Sequence, residues 1–190
     1  MLKKPDAAHH LLRIASDHML DVVRYWADTF GAENVIPNLW EPMAANNIIS
    51  PKQFETFVFP YIKDTNEKML SMGIKHILYH ICGEQNANLP LWAQIPMGDP
   101  GMVTFGNEVK LTTAIEYFGD SCLILGNVLP SLIQTGTPQE VYDTCRDCIL
   151  EAKNAPRGFM LMPGCELPPM APPFNVYMMK KAIEDFGYYE

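Results

Sequence analysis

The chain has 190 residues, 48% hydrophobic and 19% charged, a balance that suits a folded globular chain and excludes a disordered or collagen-like one. Lys and Arg total 14 against 22 Asp and Glu, a net charge of -8, so there is no cationic surplus for phosphate and nucleic acid is not an expected partner. The chain is too short for most complete eight-stranded α/β barrels, which take about 250 residues.

The start, Met1-Leu2-Lys3-Lys4-Pro5-Asp6, leads into a His-rich amphipathic stretch with no apolar signal core. No run approaches the roughly 18–20 apolar residues of a membrane span, so no membrane role is expected and a cytoplasmic location is the default. Leu12, Ala15, Met19, Val22, Trp26 and Phe30 then recur every three or four positions, the stripe of an amphipathic helix stopped by Gly31. Asn34 to Trp40 reads as a strand ending at Glu41-Pro42. Ser50-Pro51 opens a second helix, in which Pro60 predicts a kink or a break.

Gly73 ends that helix, and Ile74 to Cys82 reads as a buried strand. A short helical stretch covers 86–94, a weak strand 101–105 and a helix about 108–118. Cys122 to Leu125 is a strong strand ending at Gly126-Asn127. Thr137-Pro138-Gln139-Glu140 is a capping box that starts a helix running to about Lys153. Phe159 to Met162 is a further short strand, ending at Pro163-Gly164-Cys165, and a last helix runs from near Pro173 to Gly187.

This order, a helix and then five strand–helix units in one domain, argues for a parallel sheet with helices packed outside. Such a sheet is either open and doubly wound or an arc of a barrel. The Gly-x-Gly-x-x-Gly fingerprint of the doubly wound class is absent, and a chain opening with a helix fits an arc cut from a longer barrel.

Within His80-Ile81-Cys82, His80 and Cys82 share one face of a strand end, about 6.5–7 Å apart along it. Both suit a borderline-soft ion such as zinc; a core His beside a buried Cys is the plainer alternative. Cys165 also falls just past a strand, so a parallel array puts all three at one end, where three ligands and an open position describe catalytic zinc. Glu41, Asp99, Asn127 and Glu166 are candidates for the same mouth, each weighed against a cap or loop hydrogen bond. Glu41 is the candidate catalytic carboxylate, and Asn127 and Glu166 are candidate substrate contacts. Cys145 and Cys148 share a mid-helix apolar stripe and read as packing, as does Cys122 within a strand. With five cysteines and no export signal, a disulfide framework is not expected. His9 and His10 read as solvated, and His18 and His76 have no ligand-like context.

His80-Ile81-Cys82-Gly83, Gly126-Asn127-Val128, Gly136-Thr137-Pro138 and Pro163-Gly164-Cys165-Glu166 with the Pro168-Pro169 pair resemble the uroporphyrinogen decarboxylase superfamily. Within it, the chain is similar to the cobalamin-related, zinc-dependent methyltransferases, such as the methylcobamide:coenzyme M enzymes. The resemblance covers nearly all of this chain but only the later part of a family member. It implies a partial (β/α)8 barrel of about five parallel strands, with zinc on His80, Cys82 and Cys165. It also implies a small thiol as acceptor and a corrinoid such as methylcobalamin, carried by a partner protein, as methyl donor. Gly164-Cys165 replaces the His-Gly of the decarboxylases, and Leu129 stands where Asp usually follows Gly-Asn-Val. The alternatives are a tetrapyrrole decarboxylase-like enzyme, whose catalytic aspartate lies in the part without a counterpart here, and a non-catalytic truncated barrel. Five strands leave two open edges, so a homodimer or a companion chain completing the barrel is expected.

Overall fold

The structure is a computed structural model that describes residues 3–189. Five strands form one sheet in sequential order: β1 (Asn38–Trp40), β2 (Leu78–Ile81), β3 (Gly101–Phe105), β4 (Cys122–Val128) and β5 (Phe159–Pro163). All four pairings are parallel. A doubly wound sheet reverses direction at a switch point, whereas strands added in one direction give the arc of a barrel. The sheet is therefore the arc.

Helices α1 (Pro5–Phe30), α2 (Pro51–Phe57), α3 (Phe59–Ser71), α4 (Leu89–Trp92), α5 (Leu111–Phe118), α6 (Pro130–Thr135), α7 (Pro138–Ala152) and α8 (Pro173–Phe186) accompany the strands. Capping boxes start α2, through Ser50 and Gln53, and α7, through Thr137 and Glu140. The chain breaks at Val58, and Pro60 lies in the first turn of α3, where a missing N–H leaves no helical bond unmade.

Residues alternate across the sheet. Tyr79, Ile81, Val103, Phe105 and Ile124 lie buried in the main core, and Val128 packs with Ile133, Val141, Cys145 and Ile149 in a second cluster under α6 and α7. Cys122, Cys145 and Cys148 take part in this packing, and burial pushes the Cys145 thiol up to about 12. The opposite face carries Leu78, His80, Met102, Thr104, Leu123 and Leu125 towards the inside of the arc.

Several elements differ from the sequence reading. β1 is confined to 38–40, because residues 32–34 form a 3-10 turn. β2 starts at Leu78, and β4 runs on through Gly126-Asn127 to Val128. Helix α6, opened by Pro130, was not expected. The apolar stripe of α1 is the largest difference. The face buried against α3 is Ser16, Leu20, Val23 and Ala27, while Ala15, Met19, Val22, Trp26 and Phe30 lie exposed. His9 is not solvated: its ring stacks on Phe57 at 4.6 Å between centroids, and Nδ1 lies 2.8 Å from the Tyr61 hydroxyl.

Candidate metal centre

His80 lies on β2, Cys82 directly follows that strand, and Cys165 lies two residues past β5. In a flat sheet β2 and β5 stand three strand spacings apart, roughly 14 Å at ~4.8 Å each. Curvature of the arc and the inward turn after Pro163 remove that gap. One ligand atom from each of His80, Cys82 and Cys165 lies within 4.8 Å of the others, and the two sulfurs are 3.9 Å apart.

Two glycines shape the approach. Gly83 has φ +74, a left-handed conformation that turns the chain away just after Cys82. Gly164 donates its N–H to the Val128 carbonyl at 2.8 Å. A Cβ on Gly164 would sit 3.2 Å from both the Asn127 backbone oxygen and the Asn107 backbone nitrogen, a tight fit that glycine avoids where the Cys165 loop runs close to β4.

The donor set fits a zinc ion. His80 is buried, and its Nε2 has no hydrogen-bond partner. An orphaned buried ring nitrogen costs free energy unless something coordinates it. Two thiolates each ~2.3 Å from one tetrahedral ion lie ~3.8 Å apart, close to the separation seen here. The other ring nitrogen, Nδ1, is 3.5 Å from the Thr104 hydroxyl, an orienting contact typical of metal-bound imidazoles. The edge of the ring meets Trp40, 5.9 Å between centroids.

Electrostatics keep the free ligands in the states a cation would act on. Burial pushes the His80 pKa down, against the opposing charges of Glu166 and Glu108, so the imidazole is held neutral. Burial, and then the adjacent Cys165 thiol, push Cys82 up to about 11. A bound cation reverses that logic, because it stabilises the thiolate directly.

The remaining candidates separate. Glu166 lines a cavity of about 120 Å3 together with Trp40, His80, Thr104, Met162 and Cys165. Asn127 spends both amide hydrogens on the β3–α5 loop, donating to the Gly106 carbonyl at 3.0 Å and the Val109 carbonyl at 2.7 Å. Glu41 is not brought to the cluster. Trp40 faces inward beside His80, so the next residue faces the helices, and Glu41 lines a separate cavity of about 600 Å3 with Leu39, Tyr61 and Tyr79. Asp99 precedes β3, at the other end of the strands, and pairs with Arg157 at 2.9 Å. Thr104 escaped the sequence reading, although the register sets it beside His80 on the neighbouring strand. Among the described residues, no helix is long and apolar enough to cross a membrane.

Known proteins resemble this chain in sequence or in fold. A methylcobamide:CoM methyltransferase, MtaA, from Methanosarcina barkeri is 27% identical over 192 residues, 97% of this chain and 51% of that protein. A methylated-thiol–coenzyme M methyltransferase from Methanosarcina mazei is 28% identical over 149 residues, 77% of this chain and 37% of its own length. The chain thus spans about half or less of these relatives. A solved structure of a methyltransferase from Methanosarcina mazei superposes with a TM-score of 0.76 at 19% identity, covering 98% of this chain and 53% of the other. The sequence profile of uroporphyrinogen decarboxylase (URO-D) matches residues 1–186. That match takes in all but the last few residues, and the protein belongs to the uroporphyrinogen decarboxylase family.

Proposed function

We propose that this chain carries the zinc centre of a methyltransferase that moves a methyl group between a corrinoid and a thiol. The observation that carries the reading is the convergence of an unpartnered His80 Nε2 with two sulfurs 3.9 Å apart. The methyltransferase activities for which the two Methanosarcina relatives are named support it.

His80, as neutral imidazole, and Cys82 and Cys165, as thiolates, would hold the zinc. Bound there, zinc would supply a Lewis acid that lowers the pKa of a small acceptor thiol. The adjoining cavity, walled by Trp40, Met162 and Glu166, takes the carbon skeleton of the acceptor, and the Glu166 carboxylate takes its proton. Asn127 fixes the floor of the mouth and offers only its carbonyl oxygen to a substrate. In the transfer, the methyl carbon leaves the corrinoid cobalt, which keeps the bonding electron pair, and bonds to the acceptor sulfur. A corrinoid protein docks over the C-terminal ends of the strands, where parallel α/β arrays place their sites. Glu41 takes no step. Ligation needs both thiols reduced, which suits the cytoplasm.

Metal analysis of purified protein tests the reading, with about one zinc per chain expected. With methylcobalamin and coenzyme M supplied, and a barrel-completing polypeptide present, loss of the methylcobalamin spectrum follows transfer. Absence of stoichiometric zinc overturns the proposal. Zinc without transfer under those conditions reduces the chain to a metal-binding scaffold.

A further inference from the structure

The loops that follow the strands are acidic. Across 41–50, 82–88, 106–110, 129 and 164–172 they hold Glu41, Glu84, Glu108 and Glu166 against the single cation Lys110. Glu41 faces the helices, and Lys110 stands exposed at the start of α5.

Two of these carboxylates bear on the metal ligands. Glu166 directly follows Cys165 and lines the cavity of about 120 Å3. Among the described residues that line it, Glu166 is the one carboxylate, and no Lys or Arg joins it. Glu108 folds back over the end of β3, where any Cβ on Gly106 would strike its carboxylate, and the Gly83 backbone nitrogen lies 3.5 Å from the same point. The charges that act on His80 are those of Glu166 and Glu108, and that of Glu108 acts on Cys82 as well.

Size and charge together limit what the cavity takes. At roughly 30 Å3 for each water-sized group, it holds about four such groups, enough for two carbons and one small end group. A divalent ion held by two thiolates and a neutral imidazole carries no net charge, so the ionised sulfur of an acceptor adds a negative charge close to two carboxylates. An anionic end group would place a second negative charge against Glu166, whereas a cationic one turns that repulsion into attraction.

Given the zinc centre proposed above, we infer that the cavity selects its acceptor by charge. It takes a short thiol with an ammonium end group first, a neutral one next and an anionic one last. Glu166 sets this order, and Glu108 adds to it. Glu166 is exposed, so a proton it takes from the thiol passes on to water and its charge is restored.

The probe is the chain loaded with cobalt(II), whose visible spectrum reports thiolate ligation where zinc is silent. It is titrated with cysteamine, mercaptoethanol and coenzyme M, which share two carbons and a thiol and end in ammonium, hydroxyl and sulfonate. Corrected for each thiol's own ionisation, cysteamine is expected to bind about tenfold or more tighter than coenzyme M at low ionic strength, and added salt should narrow the gap. Glu166→Gln should bring the ratio to within about threefold, and Glu108→Gln should narrow it less. A role for Glu166 as a base alone would move all three thiols together and leave the ratio unchanged. Coenzyme M binding as tightly as cysteamine overturns the inference. So does a cysteamine preference that survives Glu166→Gln, because it then comes from the amine binding the metal. A chain that takes up neither cobalt nor zinc overturns the zinc centre itself, whereas bound metal with the wrong order of thiols counts against the charge selection alone.

Discussion

The Sγ atoms of Cys82 and Cys165 lie 3.9 Å apart although the residues are 83 positions apart in sequence. A disulfide needs about 2.05 Å, so the pair is two free thiols. Cys82→Ser and Cys165→Ser are each expected to drop bound zinc from about one per chain to near zero, because two remaining protein ligands hold zinc poorly. Elemental analysis after dialysis against a mild chelator reads this. Retention of zinc by either variant would remove that sulfur from the ligand set.

Thr104 stands beside His80 on the neighbouring strand, with its hydroxyl 3.5 Å from Nδ1. With Nε2 turned to the metal, Nδ1 carries the proton and donates it to the Thr104 hydroxyl. Thr104→Val keeps the shape and removes the acceptor, so zinc affinity should fall about tenfold or more in chelator competition. Thr104→Ser should recover most of the loss.

Gln85 is fully buried below the mouth and ties the end of β2 to its surroundings. Its Nε2 donates to the Cys82 carbonyl at 3.3 Å, and its Oε1 accepts from Asn88 Nδ2 at 2.8 Å and Trp92 Nε1 at 3.2 Å. Gln85→Leu would leave the Trp92 indole N–H buried and unpaired and Asn88 Nδ2 with the Ala44 carbonyl alone, a cost of roughly 2–4 kcal/mol. Denaturant unfolding is the measure, and a loss below about 0.5 kcal/mol would mean that water replaces the side chain.

Glu41 makes stability depend on pH. Burial raises its carboxyl to about 7 from the ordinary 4.5. Below the ordinary value both folded and unfolded chains hold the proton. Between the two values only the folded chain holds it, so stability falls as pH rises, and above about 7 the loss is complete. The full loss is on the order of 3 kcal/mol. Glu41→Gln should flatten this decline and stabilise the lone chain at pH 8, with little change at pH 4. Melting temperatures across that range decide it.

The shared end of His80, Cys82 and Cys165 was legible because strand alternation and parallel order are local rules. His80 and Cys82 share a face two residues apart, and the ends of β2 and β5 point the same way. The same rule misled at Glu41, where one residue of register decides between mouth and helix layer and the short β1 gives little to count from. Helix α6 was missed because a six-residue helix shows less than two turns of periodicity. The stripe on α1 was read correctly as apolar, but periodicity reports a face and not what covers it.

Sequence by itself determined the five strand–helix units, the donor types and the shared end of the strands where they lie. Tertiary structure alone decided that sulfurs from strands three spacings apart meet within 3.9 Å, since that distance depends on how far the sheet curves. It alone also showed that Thr104 backs His80 and that Glu41 faces away, because both depend on which strands become neighbours and in what register.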